Sequence, residues 1–89
     1  MEKDLFDGLR KQLEEQDWPA LYFFKFICPS DDETVAKIVG LFGAHSDINF
    51  QPSTKGKYTS ISVKEVMLSA ERVIDVYKEA GKVKGVISL

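Results

Sequence analysis

Two hydrophobic periods divide the chain. Between residues 47 and 63 the apolar positions alternate: Ile48 and Phe50 are interleaved with Asp47, Asn49 and Gln51, and Ile61 and Val63 with Ser60 and Ser62. A period of two places these side chains on opposite faces of half-buried strands. The intervening Ser53-Thr54-Lys55-Gly56 has the composition of a turn. Pro52 cannot donate to a ladder and belongs at a strand end or edge, and Gly56 can take the positive φ of a tight turn. The pattern predicts a β-hairpin at the centre of the chain, with Ile48, Phe50, Ile61 and Val63 turned beneath a pair of helices.

The remaining segments read as helix or strand by the same test. Residues 4–16 carry Leu5, Phe6, Leu9 and Leu13 at helical spacing, with Arg10, Lys11, Glu14 and Glu15 on the other side, which makes a short amphipathic helix. Trp18-Pro19 stops it, because the residue before a proline is driven out of the α region. Its stripe has two uses: packing on the domain's own sheet, or docking on a partner. Residues 21–28 are short and dense in aromatic and branched side chains, as a central strand is. Tyr22, Phe24, Phe26 and Cys28 share one face. Leu21, Phe23, Lys25 and Ile27 share the other, and the lysine marks that face as not wholly sealed.

Pro29-Ser30-Asp31-Asp32-Glu33 has the look of a carboxylate cluster for a metal. Ser30 and Glu33, however, have the capping-box spacing, and acidic residues in a first helical turn are favoured by the helix dipole, so a helix start is predicted here. Val35, Ile38, Val39 and Phe42 recur as its buried face and Gly43 as its stop. After the hairpin, Ser69 caps a helix running to about residue 80, with Ala70, Val73, Tyr77 and Ala80 inward and Glu71, Arg72, Asp75, Lys78 and Glu79 outward. Gly81 ends it. Residues 83–89 close the chain as a last strand, interrupted by Gly85.

After the first helix the order is strand, helix, strand, strand, helix, strand. Two right-handed βαβ halves joined by a hairpin close into an α+β, ferredoxin-like βαββαβ fold: a four-stranded antiparallel sheet with two helices on one face, preceded by an extra N-terminal helix. Residues 1–19 form the amphipathic lead-in and 20–89 the single domain, with the strands at Leu21 and Lys57 central. The 89 residues suffice for one core. The other face of the sheet then presents Phe23, Lys25 and Ile27 beside Tyr58, Ser60, Ser62 and Lys64, an apolar surface that should be covered by something.

Composition narrows the functional classes. With 44% hydrophobic and 29% charged residues the chain is globular, and it has no apolar run long enough for a membrane span. A net charge of -2, with both signs mixed along the chain, gives no long-range attraction to a phosphate backbone. Nucleic acid is therefore disfavoured, membrane is not expected, and the single cysteine and polar start point to the cytoplasm. No nucleophile-base pair, glycine-rich phosphate loop or metal-ligand cluster stands out, so no catalytic residue, metal or cofactor is assigned. Cys28 reads as a small core residue and His45 as a loop residue past a helix end.

A candidate ligand site gathers around the hairpin. Lys55, Lys57 and the amides around Gly56 can hold a carboxylate or phosphate, since successive N–H groups make anion nests. Ser53, Tyr58, Ser60, Ser62 and Lys25 complete the set. The bland reading, solvated turn lysines and strand-filling serines, stands beside it. Three functions follow: a regulatory or adaptor domain that binds a small-molecule effector or a partner enzyme, with a homodimer compatible with it; a purely protein-binding module that uses the N-terminal helix or a sheet edge; and RNA binding. Lys55-Gly56-Lys57-Tyr58 resembles the start of an RNP1 strand, but Lys57 and Thr59 occupy the positions where that motif stacks aromatic rings.

Pro52-Ser53-x-Lys55-Gly56-x-Tyr58-x-Ser60-Ile61-Ser62, followed by Tyr77-x-Glu79-x-Gly81-Lys82, resembles the YbeD-like family of small bacterial proteins, whose function is unassigned. The resemblance runs from about Tyr22 to the end, and the hairpin motif is its most specific part. It implies a ferredoxin-like fold similar to the ACT regulatory domain and supplies no activity. The N-terminal helix exceeds the family's usual lead-in, and Cys28-Pro29-Ser30-Asp31 lacks the glycine with which ACT domains bind amino acids.

Overall fold

A computed structural model of the protein describes residues 6–43 and 46–89. The two strands richest in apolar side chains are the two longest and lie in the middle. These are β1 (Ala20–Pro29) and β3 (Tyr58–Met67), paired antiparallel from Ala20 opposite Met67 to Pro29 opposite Tyr58. β2 (Asp47–Pro52) forms the hairpin with β3, placing Ile48 opposite Val63 and Phe50 opposite Ile61, and β4 (Ile87–Ser88) lies on the far side of β1. The order is β2-β3-β1-β4, the predicted ferredoxin-like arrangement. Its turn closes through the Gly56 N–H donating to Ser53 O at 2.9 Å, with Gly56 at φ 72°.

The core lies between the sheet and the helices α2 (Asp32–Val39) and α3 (Ala70–Gly81). Phe24, Phe26, Cys28, Ile61 and Val63 from the sheet meet Ile38, Val73, Ile74 and Ala80 from the helices, all buried. Burying each large side chain contributes about 1.5–3 kcal/mol. Tyr77 centres the aromatic part, 5.4 Å from the Phe24 ring and 6.3 Å from those of Phe26 and Tyr22. The Ser69 hydroxyl accepts from the Arg72 N–H and starts α3 as expected.

Several expectations are corrected. The N-cap of α2 is Asp31, not Ser30: its carboxylate accepts from the N–H and hydroxyl of Thr34 at 2.8 Å. Ser30 instead shares a hydrogen bond with the Thr59 hydroxyl at 2.9 Å, tying the end of β1 to the start of β3. The helix also ends at Gly40, before Gly43, and Phe42 reaches the core from the following turn. Phe50 faces the helix side but is 51% exposed, because β2 is an edge strand and α2 packs over β1. The last strand is two residues long. Residues 83–86 turn first, with Gly85 at φ 84°, where an added Cβ would meet Pro29 Cγ at 2.9 Å. His45 and Leu5 lie outside the described residues.

α1 (Asp7–Glu14) does not lie on the sheet but joins the helix layer beside α3. Leu13 is buried, Phe6 stacks on Tyr77 at 6.5 Å, and Arg10 pairs with Glu71 of α3 and with Asp7. Its end is closed by Trp18, whose Nε1 donates to Leu13 O at 2.9 Å. The reason is complementarity: the flank of α3 offers a ring and a carboxylate where α1 carries a ring and a guanidinium.

Candidate binding face of the sheet

Among the described residues the three helices sit on one side, so the outward side chains of the sheet face solvent. Strand alternation and register set them in cross-strand rows. Leu21 stands beside Val66, Phe23 beside Lys64 and Asp47, Lys25 beside Ser62 and Asn49, and Ile27 beside Ser60 and Gln51. Ile87 of β4 adjoins Ile27. The face is thus apolar toward Leu21, Phe23 and Val66 and polar along the hairpin. Phe23 is 63% exposed and Val66 60%, and the Lys64 ammonium lies 5.7 Å from the centre of the Phe23 ring.

The structure brings four of the candidate ligand residues together. Lys25, Ser53, Ser60 and Ser62 line one open cleft of about 400 Å³, with Asn49 and Gln51 as its further polar walls. Those two amides were legible in the alternation that put Ile48 and Phe50 on the other face. Lys55, Gly56, Lys57 and Tyr58 lie outside that cleft, at and just beyond the exposed turn. The turn is not a free nest: the Gly56 amide donates to Ser53 O, and the Tyr58 amide to Ser53 Oγ at 3.2 Å. Thr59 is buried and faces the core.

A second cleft, about 360 Å³, lies between the end of β3 and α3, with Leu41, Met67, Leu68, Arg72 and Val76 in its walls. Near the sheet edge, Glu65 accepts from the Gly43 N–H at 3.2 Å and the Ser46 hydroxyl at 2.9 Å, fastening the α2–β2 connection; nothing in the sequence pattern marked this role. Burial, and then the charge of Asp31, push the Cys28 thiol up, so it stays protonated inside the core. The hydrogen bonds from Thr34 hold the Asp31 carboxyl below the usual range. Among the described residues no three His, Cys, Asp or Glu side chains converge as a metal site would require, and no helix is long and apolar enough to cross a membrane.

Topology and face together define a small α+β domain of ferredoxin-like architecture with one uncovered sheet surface. The model of the family described as a protein of unknown function (DUF493) matches residues 14–89, and the chain belongs to this family. Among its relatives are UPF0250 proteins of Shewanella baltica strains OS155 and OS185, each 27% identical over 77 residues, which cover 82% of this chain and 88% of the relative. No solved structure matches it. The family match begins at Glu14, the last residue of α1.

Proposed function

We propose that this protein is a small non-catalytic regulatory or adaptor domain that docks a partner protein on the open face of its sheet. The observation that carries this is the group Leu21, Phe23, Val66 and Ile87, each more than half exposed on one face. Exposed apolar surface of this kind, interspersed with polar groups, marks interaction sites, because leaving it in water is unfavourable and another protein relieves that. Lys25 and Lys64 within it favour an acidic counterpart and fix its orientation. The burial of Cys28 supports the non-catalytic reading. The test is to isolate tagged full-length protein from its own host after cross-linking, alongside the Phe23→Ser, Val66→Ser double variant. Partners held by the native chain should be lost from a variant whose Tm is unchanged; an identical partner set rejects the reading.

The cleft at Lys25 favours a second reading, in which a small anionic effector binds the same face. Lys25 has no ion-pair partner among the described residues, and the hydroxyls of Ser60 and Ser62 and the amides of Asn49 and Gln51 stand beside it. Calorimetric titration with amino acids and nucleotides checks this: heat that is lost in Lys25→Ala supports it, and silence at millimolar concentration removes it.

A further inference from the structure

The two sides of β1 are unequally occupied. β3 pairs with it throughout, whereas β4 meets it at Phe26 and Ile27, with the Leu89 N–H reaching Lys25 O at 2.9 Å. Antiparallel bonding alternates along a strand. The Ser30 N–H donates to Lys57 O at 3.0 Å, which assigns the even-numbered residues of β1 to the β3 side. Lys25 and Ile27 therefore address β4, as the Leu89 bond independently shows. By the same alternation the N–H and C=O of Leu21 and Phe23 point to the open side, where no described residue pairs with them.

This half-strand lacks the devices that guard an edge. Residues 20–24 read Ala-Leu-Tyr-Phe-Phe, with no proline, no charge and no break in register. The other long edge, on β2, ends in Pro52 and starts with Asp47. The outward side chains at the open stretch are Leu21 and Phe23, 53% and 63% exposed, and Lys25 is next along the same face.

We propose that the free edge of β1 at Leu21–Phe23 is a strand-addition site, taking an extended segment of the partner protein. The backbone decides the occupant, because unmet N–H and C=O groups at strand spacing are matched in register by another extended backbone. Apolar side chains of that segment would lie against Leu21 and Phe23, and an acidic one would meet Lys25. The proposal rests on the reading that a partner docks on the outer face, and it names the chemistry by which the partner is held.

Amide exchange of the full-length ¹⁵N-labelled chain reads the edge directly. Leu21 and Phe23 amides should exchange at least about 100-fold faster than those of Tyr22 and Phe24; equal protection overturns the proposal. Panning a phage-displayed library of random peptides on the full chain supplies the probe. The expected result is enrichment of peptides that alternate apolar and acidic residues, whose synthetic forms slow exchange at Leu21 and Phe23 tenfold or more and give cross-strand NOEs to them. Absence of enrichment overturns it. Leu21→Pro removes an outward N–H without touching a β3 bond and should abolish peptide binding, while Phe23→Ser, which keeps its N–H, should weaken it. Binding that survives Leu21→Pro but not Phe23→Ser overturns strand addition and leaves docking on the face standing; indifference to both overturns the two together. Exchange and NOE measurements on the native chain decide the matter even where Leu21→Pro fails to fold.

Discussion

Single residues in this protein are set by what lies across the fold from them. Tyr77 is the clearest example: its ring is enclosed by Phe24, Phe26 and Tyr22, and its hydroxyl hydrogen-bonds that of Tyr22 at 3.1 Å. Burial first, and that hydrogen bond second, raise its pKa well above the ordinary value. A tyrosine gains charge on losing its proton, and its unfolded value is about 10. The stability tied to the neutral form is therefore fully present below about pH 10 and is lost as pH rises from there toward the folded value. Urea unfolding followed between pH 7 and 11.5 should show a midpoint that falls above about pH 10. Tyr77→Phe should remove part of that fall, at a cost near neutrality of about 0.5–1.5 kcal/mol for the lost hydrogen bond. At the same scale, Ser30 and Asp31 show why a motif can be misread. Both are good caps and adjacent in sequence, and the hydroxyl of Thr59, 28 residues from Asp31, claims Ser30 and leaves the helix start to Asp31.

Among the elements, α1 and β4 are the two whose form depends on their neighbours. α1 has one buried side chain of its own, Leu13, with Phe6 and Leu9 half-buried against the core. An eight-residue helix is too short to persist alone, so its contact with α3 holds it in place. Removing residues 1–16 uncovers that flank of α3, including the ring of Tyr77 that Phe6 stacks on. The expected cost is about 2–4 kcal/mol, or roughly 10–25 °C in Tm for a domain of this size, measurable by calorimetry. An unchanged Tm would mean that the stripe is spare surface for a partner. β4 is short for a local reason: Gly85 takes a left-handed conformation close against Pro29, so the chain is still turning where the hydrophobic pattern alone predicts strand.

At the scale of the molecule, the sequence alone determined the hairpin, the two central strands, the face assignments along them and the inward stripe of α3. These are legible because each follows from a local period: alternate side chains of a strand must point opposite ways, and a helix must turn one stripe inward. Ile74 escaped the stripe yet is buried, since a helix wedged against both the sheet and α1 buries a wider arc than one packed on a single surface. Of the candidate site, Lys25, Ser60 and Ser62 were legible as one face, but their meeting with Asn49, Gln51 and Ser53 in one cleft required the register of three strands. Only the tertiary structure decided where α1 docks and that, among the described residues, nothing covers the outer face or pairs with the far side of half of β1. Those outcomes depend on which surfaces remain after the elements have packed, and periodicity describes what a segment offers to a neighbour without saying which neighbour arrives.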